Sequence, residues 1–118
     1  MGGYGVILGA LTSALPVEVR TGGDKLDQPV TGGYASDLLS NVMGQAGAGY
    51  IWVTMQGHQN IVAVASLLGL AGIVLAGGVA PDEETLRKAQ REGIVLLTTE
   101  LSAFEITGRL YSLGIRAQ

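Results

Sequence analysis

The stretch that decides the fold is Ile51-Trp52-Val53-Thr54-Met55-Gln56-Gly57-His58-Gln59-Asn60-Ile61. A β-rich apolar run over residues 50–54 is followed by a polar turn over residues 56–60 and by an apolar segment over residues 61–70. This order is typical of a buried parallel strand, a tight turn and a helix that packs back on the sheet. The turn contains the only histidine of the chain, so we expect a functional site, if there is one, at this turn.

The composition restricts the class of protein. The 118 residues are enough for one domain. Hydrophobic residues make up 47% of the chain and charged residues only 14%, and this composition excludes disorder. Because so little charge is available to coat a monomer, we predict a homodimer that forms through an apolar face. The net charge of −3 argues against binding to nucleic acid, and the absence of cysteine favours a cytoplasmic location.

One long uncharged stretch raises the question of a membrane span. Residues 38–81 contain no Asp, Glu, Lys or Arg, and residues 61–80 have the length of a membrane helix. Four glycines between positions 69 and 78 divide this stretch into a helix-sized and a strand-sized piece, and its flanks lack Lys and Arg anchors. We therefore expect no membrane segment.

Strand and helix patterns alternate four times from residue 30 onward. The strand patterns cover residues 30–35, 50–54, 73–76 and 94–97, and the helix patterns cover residues 38–43, 60–70, 83–92 and 103–113. This alternation predicts one α/β domain over residues 1–118, with a mainly parallel sheet of about four to five strands and helices on its faces. We assign residues 1–29 to an N-terminal helix and an edge strand at 17–20, and residues 114–118 to a tail.

Local signals indicate helix ends and core positions. Ser36 and Asp37 are suitable N-caps for the helix that begins at residue 38, and Ser102 with Glu105 has the pattern of a capping box. Trp52 is expected in the core or in an interface. In the last helix we expect four apolar side chains in the core, namely Leu101, Phe104, Leu110 and Leu113.

Glycine and polar residues follow each predicted strand. Since ligands of open α/β sheets bind outside the carboxyl ends of the strands, we expect these residues to share one edge of the sheet. The candidate ligand-binding residues are Gly32, Gly33, Tyr34, Ser36, Asp37, Gln56, His58, Gln59, Asn60, Gly77, Gly78, Thr98, Thr99 and Glu100. Free backbone N–H groups at helix N-termini favour a small anionic ligand, such as the phosphate of a nucleotide. In the alternative interpretation, the polar side chains only cap helices.

His58 leaves further alternatives open. It could act as a general base oriented by Asp37 or Glu100, which would make the protein a small enzyme, or it could cap its helix or bind a ligand. A metal site built from Asp37, His58 and Glu100 lacks a recognisable ligand spacing. The P-loop, dinucleotide-binding and G-x-S-x-G motifs are absent from the sequence. We therefore predict no catalytic residues, no metal and no cofactor other than a nucleotide ligand.

Several segments occur in an order and spacing typical of one known family. They are Thr31-Gly32-Gly33-Tyr34-Ala35-Ser36-Asp37, Gln56-Gly57-His58-Gln59-Asn60, the strand pattern before Pro81-Asp82, and Leu97-Thr98-Thr99-Glu100-Leu101-Ser102-Ala103-Phe104-Glu105. With these segments the chain resembles the DRTGG domain family. That family is similar to the N-terminal domain of HPr kinase/phosphorylase and occurs in phosphotransacetylases and CBS-domain pyrophosphatases. The resemblance implies a non-catalytic regulatory module that dimerises.

The chain departs from the family pattern at two positions. Gly57-His58-Gln59 stands where many members have Gly-Asp-Arg, and Ala76-Gly77-Gly78 stands where they have Thr-Gly-Gly. The ligands of other members therefore do not carry over to this chain. Its Gly-Tyr-Ala-Ser-Asp and Gln-x-His-Gln-Asn segments resemble those of free-standing small proteins that are partners of redox enzymes. The resemblance thus leaves two functions, a ligand-binding regulatory module and an assembly partner of a larger, redox enzyme complex.

Overall fold

A five-stranded sheet forms the centre of the chain, which the computed structural model describes over residues 6–117. Its strands are β2 (Glu18–Thr21), β4 (Gly32–Ala35), β5 (Tyr50–Thr54), β6 (Gly72–Leu75) and β7 (Leu96–Thr98), in the order β2-β7-β6-β5-β4. The strands β4 to β7 are parallel, and β2 pairs antiparallel with β7. A small second sheet joins β1 (Val6–Ile7) to β3 (Pro29–Val30). The predicted mainly parallel α/β domain is confirmed.

Five helices cover the sheet: α1 (Leu8–Ala14), α2 (Leu39–Gln45), α3 (Asn60–Leu68), α4 (Glu83–Glu92) and α5 (Ala103–Ser112). From β4 to β7 each new strand is added on the same side of the previous one, so right-handed crossovers bring α2, α3 and α4 to one face. Their buried side chains form one core cluster with Trp52 and Ile73. The other face packs against α1 and α5 through Ile51 and Val53. No helix in residues 6–117 has the length and apolar character needed to cross a bilayer.

The apolar run at residues 50–54 forms β5, which is buried along its whole length. All five residues of β5 are buried, as a continuous apolar run predicts for a parallel strand that is covered on both faces. Trp52 is fully buried, and its indole Nε1–H donates a hydrogen bond of 2.8 Å to the backbone oxygen of Ser36. The core position of Trp52 is therefore confirmed, and its indole also fixes the loop that follows β4.

The two ends of the chain agree with the sequence only in part. The helix α1 and the edge strand β2 are both present, and the exposed side chains of Glu18 and Arg20 alternate with Val19. Residues 1–5, which belong to the N-terminal region predicted over residues 1–29, and residue 118 of the predicted tail lie outside the described residues. After α5 the described tail contains neither helix nor strand, but Ile115 is buried.

The strand predicted over residues 30–35 is confirmed at residues 32–35, but it is not continuous, since the segment is divided between two sheets. Val30 pairs with Val6 in β3, whereas β4 begins at Gly32. Thr31 lies between the two strands, where its backbone N–H donates to the oxygen of Gly49 at 2.9 Å and its hydroxyl donates to the oxygen of Ala48 at 2.7 Å. These bonds to the loop before β5 separate the two short strands.

The predicted caps of α2 are also wrong. The N-cap residue is Leu38, and its side chain makes no capping hydrogen bond. Ser36 accepts a hydrogen bond from the Leu38 N–H instead, and the carboxylate of Asp37 is bonded to the loop after β5. At α5, in contrast, the N–H of Glu105 donates to the hydroxyl of Ser102 at 3.1 Å, so this half of the capping box is confirmed.

Two of the four core positions predicted on α5 are wrong. Leu110 is buried and Leu101 is partly buried, but Phe104 is 89% exposed and Leu113 is 39% exposed. The reason is the phase of the helix. Ile106 and Leu110, one turn apart, face the sheet, and Phe104 lies about 160° around the helix axis from Ile106.

One buried hydroxyl group on α5 leads to a stability prediction. The Oγ1 atom of Thr107 is buried and has no hydrogen-bond partner in the described residues. A buried unsatisfied polar group costs about 1–3 kcal/mol, so Thr107→Val should raise the free energy of unfolding by about 1 kcal/mol in urea denaturation. The matched control is Thr12→Val on α1, because the Thr12 hydroxyl donates to the oxygen of Gly9 at 2.9 Å. A loss of stability in Thr107→Val would show that its hydroxyl is bonded.

Candidate functional site

The carboxyl ends of the four parallel strands lie side by side at one edge of the sheet. Ala35 of β4 is paired with Val53, Thr54 with Leu75, and Leu75 with Thr98. We call this edge the rim and define it as residues 35–38, 54–60, 76–82 and 98–101. The strand register brings the ends of these four strands together, and three sets of hydrogen bonds connect neighbouring loops of the rim.

The first set connects the loops after β4 and β5. The Oδ1 atom of Asp37 accepts hydrogen bonds of 2.7 Å from both the hydroxyl of Thr54 and the backbone N–H of Met55. The side-chain amide of Gln56 donates to the backbone oxygen of Asp37 at 2.9 Å. The candidate residues Asp37 and Gln56 are thus in contact, and Asp37 positions the loop after β5.

The second set connects the loop after β5 with the start of α4. The backbone oxygen of Gly57 accepts from the hydroxyl of Thr85 at 2.7 Å and from the N–H of Asp82 at 3.2 Å. A Cβ atom at Gly57 would lie 3.1 Å from the oxygen of Ala80, so a glycine suits this close approach. The next residue, His58, lies beside this contact between Gly57 and the start of α4.

The carboxylate beside His58 is neither Asp37 nor Glu100. The Nδ1 atom of His58 lies 3.2 Å from Oδ2 of Asp82, and the His58 side chain is 73% exposed. The alternative in which Asp37 or Glu100 orients His58 as a general base is therefore wrong. Asp37 is engaged by the loop after β5, and Asp82 reaches His58 because the start of α4 is held against Gly57. The Asp82 side chain is exposed as well, so both partners face solvent.

The third set connects the loops after β6 and β7. The N–H of Gly77 donates to the oxygen of Leu101 at 2.7 Å, and the N–H of Gly78 donates to the oxygen of Thr99 at 3.0 Å. Thr99 is buried, and its hydroxyl donates to the oxygen of Pro16 at 2.9 Å. A Cβ atom at Gly78 would lie 2.9 Å from Oε1 of Glu100. The backbone donors of both glycines are thus used inside the chain and are not free for an anion.

The other candidate residues are distributed differently. Gly32 and Gly33 begin β4 and pair with Tyr50 and Ile51, so their expected position at the carboxyl end is wrong. The Tyr34 hydroxyl donates to Oδ1 of Asn41 on the α2 face. At the rim, Ser36 caps the Leu38 N–H, Thr98 ends β7, and the side chains of Gln59 and Asn60 are exposed at the start of α3.

Sequence reasoning missed two apolar residues at the rim. Leu38 is 64% exposed and Met55 is 44% exposed, and the bond from the Met55 N–H to Asp37 places their loops next to each other. An apolar side chain inside a polar turn is an available sequence signal, because such turns usually carry polar residues. The contact of His58 with Asp82, 24 residues away, has no such signal in the sequence.

The charge of the rim is negative. Asp37, Asp82 and Glu100 carry carboxylates, whereas all seven Lys and Arg residues of the chain lie outside the rim segments. A phosphate would therefore meet like charges without a neutralising partner, which opposes its binding. Within residues 6–117, no group of three His, Cys, Asp or Glu residues is placed to hold a metal ion. The rim suits a neutral hydrogen-bonding group better than a bare anion.

Comparison with known proteins gives a structural match without a sequence match. No family model and no curated protein matches the chain. A matching solved structure contains the CBS and DRTGG domains of the regulatory region of Clostridium perfringens pyrophosphatase, complexed with its activator diadenosine tetraphosphate. The TM-score is 0.69 at 17% identity, and the match covers 86% of this chain but only 44% of that one. The likeness shows the fold, and it supports a DRTGG-like α/β fold for this chain.

Proposed function

We propose that this chain is a non-catalytic regulatory module that binds a nucleotide at the rim through its nucleoside part and that acts through self-association. The observation that carries the proposal is the combination of exposed apolar side chains, Leu38 and Met55, with hydrogen-bonding groups on Asp37 and Gln56. A flat apolar base with polar edges matches this combination, while the phosphates extend into solvent. The absence of cysteine keeps the cytoplasm as our predicted location.

The apolar part of the proposed site is formed by Leu38 and Met55. Both side chains are exposed, and methionine adapts its shape to flat ligands. A Cβ atom placed on Gly77 would lie 2.9 Å from the terminal methyl group of Met55, so Met55 reaches across to the loop after β6. The Met55 side chain thus lies between two loops of the rim, where a base would cover apolar surface that now faces water.

The polar part is formed by acceptors and amides instead of cations. The hydrogen bonds to the Asp37 side chain use Oδ1, which leaves Oδ2 to accept from an exocyclic amino group. The Gln56 amide donates through Nε2, which leaves its Oε1 atom as a further acceptor. Adenine and ribose offer such donors, whereas phosphate at neutral pH offers mainly acceptors. The negative rim therefore favours the nucleoside part of a nucleotide.

The solved neighbour supports the choice of an adenine nucleoside as the first probe. That protein shares the fold with this chain and is a regulatory region bound to diadenosine tetraphosphate. This ligand carries two adenosine groups joined by phosphates. Because this chain spans less than half of that structure, the position of its ligand is not transferred to this chain.

The test is a thermal-shift titration with adenosine, ATP and inorganic tripolyphosphate. Adenosine and ATP are expected to raise the unfolding midpoint, because a ligand at ten times its Kd stabilises the folded state by about 1.4 kcal/mol. Tripolyphosphate is expected to leave the midpoint unchanged. Stabilisation by tripolyphosphate equal to that by ATP, or no effect of adenosine at millimolar concentration, would contradict the proposal.

A pair of leucine variants locates the site. Leu38→Ala removes half of the proposed apolar surface and should weaken adenosine binding about tenfold in calorimetry, since the lost contact amounts to about 1–1.5 kcal/mol. The control is Leu67→Ala on α3, because Leu67 is 70% exposed and Leu38 is 64% exposed. Equal affinities of the two variants would place the adenosine elsewhere.

A second candidate function is an assembly partner of a larger enzyme complex. The observation in its favour is that the hydroxyls of Thr54 and Thr99 and the N–H groups of Gly77 and Gly78 are already bonded inside the chain. Under this alternative the rim only stabilises the loops. The thermal-shift titration separates the two functions, since an assembly partner would respond to none of the three probes.

A further inference from the structure

The exposed face of α5 carries the most exposed large apolar side chain among the described residues. Phe104 is 89% exposed, and Tyr111 on the same helix is also exposed. Beside Phe104 lies a groove of about 480 Å³ between α5 and the end of α1, lined by Leu15, Gly108 and Leu113 among others. The charged side chains of Glu105 and Arg109 also line the groove. Exposed apolar surface that is rimmed by polar groups indicates a surface that is covered by another molecule.

The shapes of the ring and the groove complement each other. Phe104, Gly108 and Ser112 are spaced four residues apart, so they form one row along α5. Gly108 provides no side chain, and the position of its missing Cβ has no other atom within 4 Å. The protruding ring of Phe104 therefore lies one helical turn from the open space over Gly108. In a twofold dimer the same patch meets itself, so the ring of each copy can fill the hollow of the other.

We propose that α5 is the interface of a homodimer in which two α5 helices pack antiparallel, with Phe104 of each copy in the groove over Gly108 of the other. The proposal rests on the self-association included in the proposed function and adds the surface and the partner. It is independent of the ligand, because α5 covers the face opposite to α2, α3 and α4.

The charges on α5 are also self-complementary. Arg109 donates from Nε to the Glu105 carboxylate at 3.1 Å, and both side chains are exposed beside the Phe104 row. In an antiparallel pair of helices the order of acid and base is reversed in the second copy. With Phe104 over Gly108 the twofold axis passes at residue 106, so Glu105 of one copy lies about 3 Å along the helix from Arg109 of the other, within reach of these long side chains, twice per dimer. Opposite charges in register favour this orientation over the parallel one.

The edges of the sheet offer a weaker alternative for association. The edge strand β2 exposes the charged side chains of Glu18 and Arg20, which oppose strand pairing between copies. At the other edge, the N–H of Gly33 in β4 is already bonded to the oxygen of Arg116 in the tail at 3.2 Å. Both edges are thus protected, while the face of α5 is not.

The size of the patch predicts a moderate affinity. A standard interface buries about 800 Å² per partner, which would be about one seventh of the accessible surface of 5820 Å². The exposed parts of Phe104 and Tyr111 supply about 220–370 Å² of that area, and the end of α1 supplies part of the remainder. We therefore expect dimerisation with a Kd in the micromolar range.

The test is sedimentation equilibrium of the full chain at 1–200 µM, with about 12.1 kDa for a monomer. We expect the chain to be dimeric at the upper concentrations. Phe104→Glu should raise the dimer Kd about 30-fold or more, because loss of a central aromatic residue has effects of this size. Circular dichroism should show that this variant is folded. The control Leu67→Glu changes a side chain on α3 that is 70% exposed and should dimerise normally.

A charge exchange tests the antiparallel orientation. Glu105→Arg and Arg109→Glu each place like charges opposite each other in a homodimer, so each variant alone should dimerise more weakly than the natural chain. In an equimolar mixture, every Arg of one variant faces a Glu of the other, so a heterodimer of about natural affinity should form. Mixing without recovery would overturn the proposed orientation.

Two results would overturn the interface itself: a chain that is monomeric at 200 µM, or a Phe104→Glu variant that dimerises as well as Leu67→Glu. Failure of the ligand proposal is distinguishable from both. Monomeric Phe104→Glu should still show the thermal shift with adenosine, whereas Leu38→Ala should lose affinity for adenosine and still dimerise.

Discussion

Trp52→Ala is expected to lower the free energy of unfolding by about 4 kcal/mol, because it removes a fully buried aromatic side chain and leaves a cavity. A domain of this size has a total stability of about 5–15 kcal/mol, so the variant should lose a large part of it. The indole also bonds the backbone oxygen of Ser36 at 2.8 Å, and this acceptor would lose its partner. Urea denaturation followed by circular dichroism measures the change.

Two controls separate the contributions of Trp52. Trp52→Phe keeps most of the apolar volume but leaves the Ser36 oxygen unsatisfied, so a smaller loss of about 1–3 kcal/mol is expected. Leu67→Ala changes an exposed side chain on α3 and should alter stability by less than about 0.5 kcal/mol. If Trp52→Ala unfolds at the same urea concentration as Leu67→Ala, the indole does not lie in the core.

Gly22→Ala should destabilise the protein by about 3 kcal/mol. Gly22 has a φ of 77°, in the left-handed region, and an added Cβ would lie 2.8 Å from the Val95 side chain and 2.9 Å from the Val95 Cα atom. Backbone strain and overlap each cost about 1–3 kcal/mol, and the Cα atom of a buried residue cannot move aside as a flexible side chain can. Thermal and urea unfolding both report the change.

The matched control for this variant is Gly114→Ala. Gly114 also has a positive φ, 102°, but nothing lies within 4 Å of its Cβ position. Only the backbone strain remains, so a loss of about 1 kcal/mol is expected. Equal losses of stability at the two positions would show that a Cβ atom at residue 22 does not overlap with Val95.

Local signals in the sequence were sufficient for most elements of the fold. The helix predicted over residues 83–92 is observed at α4 (Glu83–Glu92), because Pro81, acidic residues in the first turn and Gly93 mark its ends without help from distant residues. The strand β5 is observed at the predicted residues 50–54, because an apolar run of this length has to be buried on both sides. Elements whose ends are set by nearby residues could therefore be predicted.

The remaining features depend on contacts between distant parts of the chain. The carboxylate of Asp37 would be a good cap by local rules, but Thr54 and Met55 compete for it and hold it in the rim. His58 meets Asp82 only because Gly57 packs against the start of α4. Neither contact leaves a periodic signal in a single sequence. The exposure of Phe104, however, could have been predicted from its position on the helix relative to Ile106 and Leu110.

The loops after β4, β5 and β6 all lead to one face of the sheet. Ligands of open α/β sheets bind where neighbouring loops turn to opposite faces. Here the helices α2, α3 and α4 share one face, whereas α5, which follows β7, lies on the other face. Between β4 and β6 the loops pack against each other, as the bonds of Asp37 and Gly57 show. The ligand proposed beside Leu38 and Met55 therefore binds to the surface of these loops, which suits a flat base.

The most direct test of the proposed function is an NMR titration of the ¹⁵N-labelled chain with adenosine. We predict saturable shifts of the backbone amides of Asp37, Leu38, Met55 and Gln56, no shifts along α5, and no response of the rim to tripolyphosphate. Adenosine shifts confined to other parts of the chain, or equal rim shifts with tripolyphosphate, would contradict the nucleoside site.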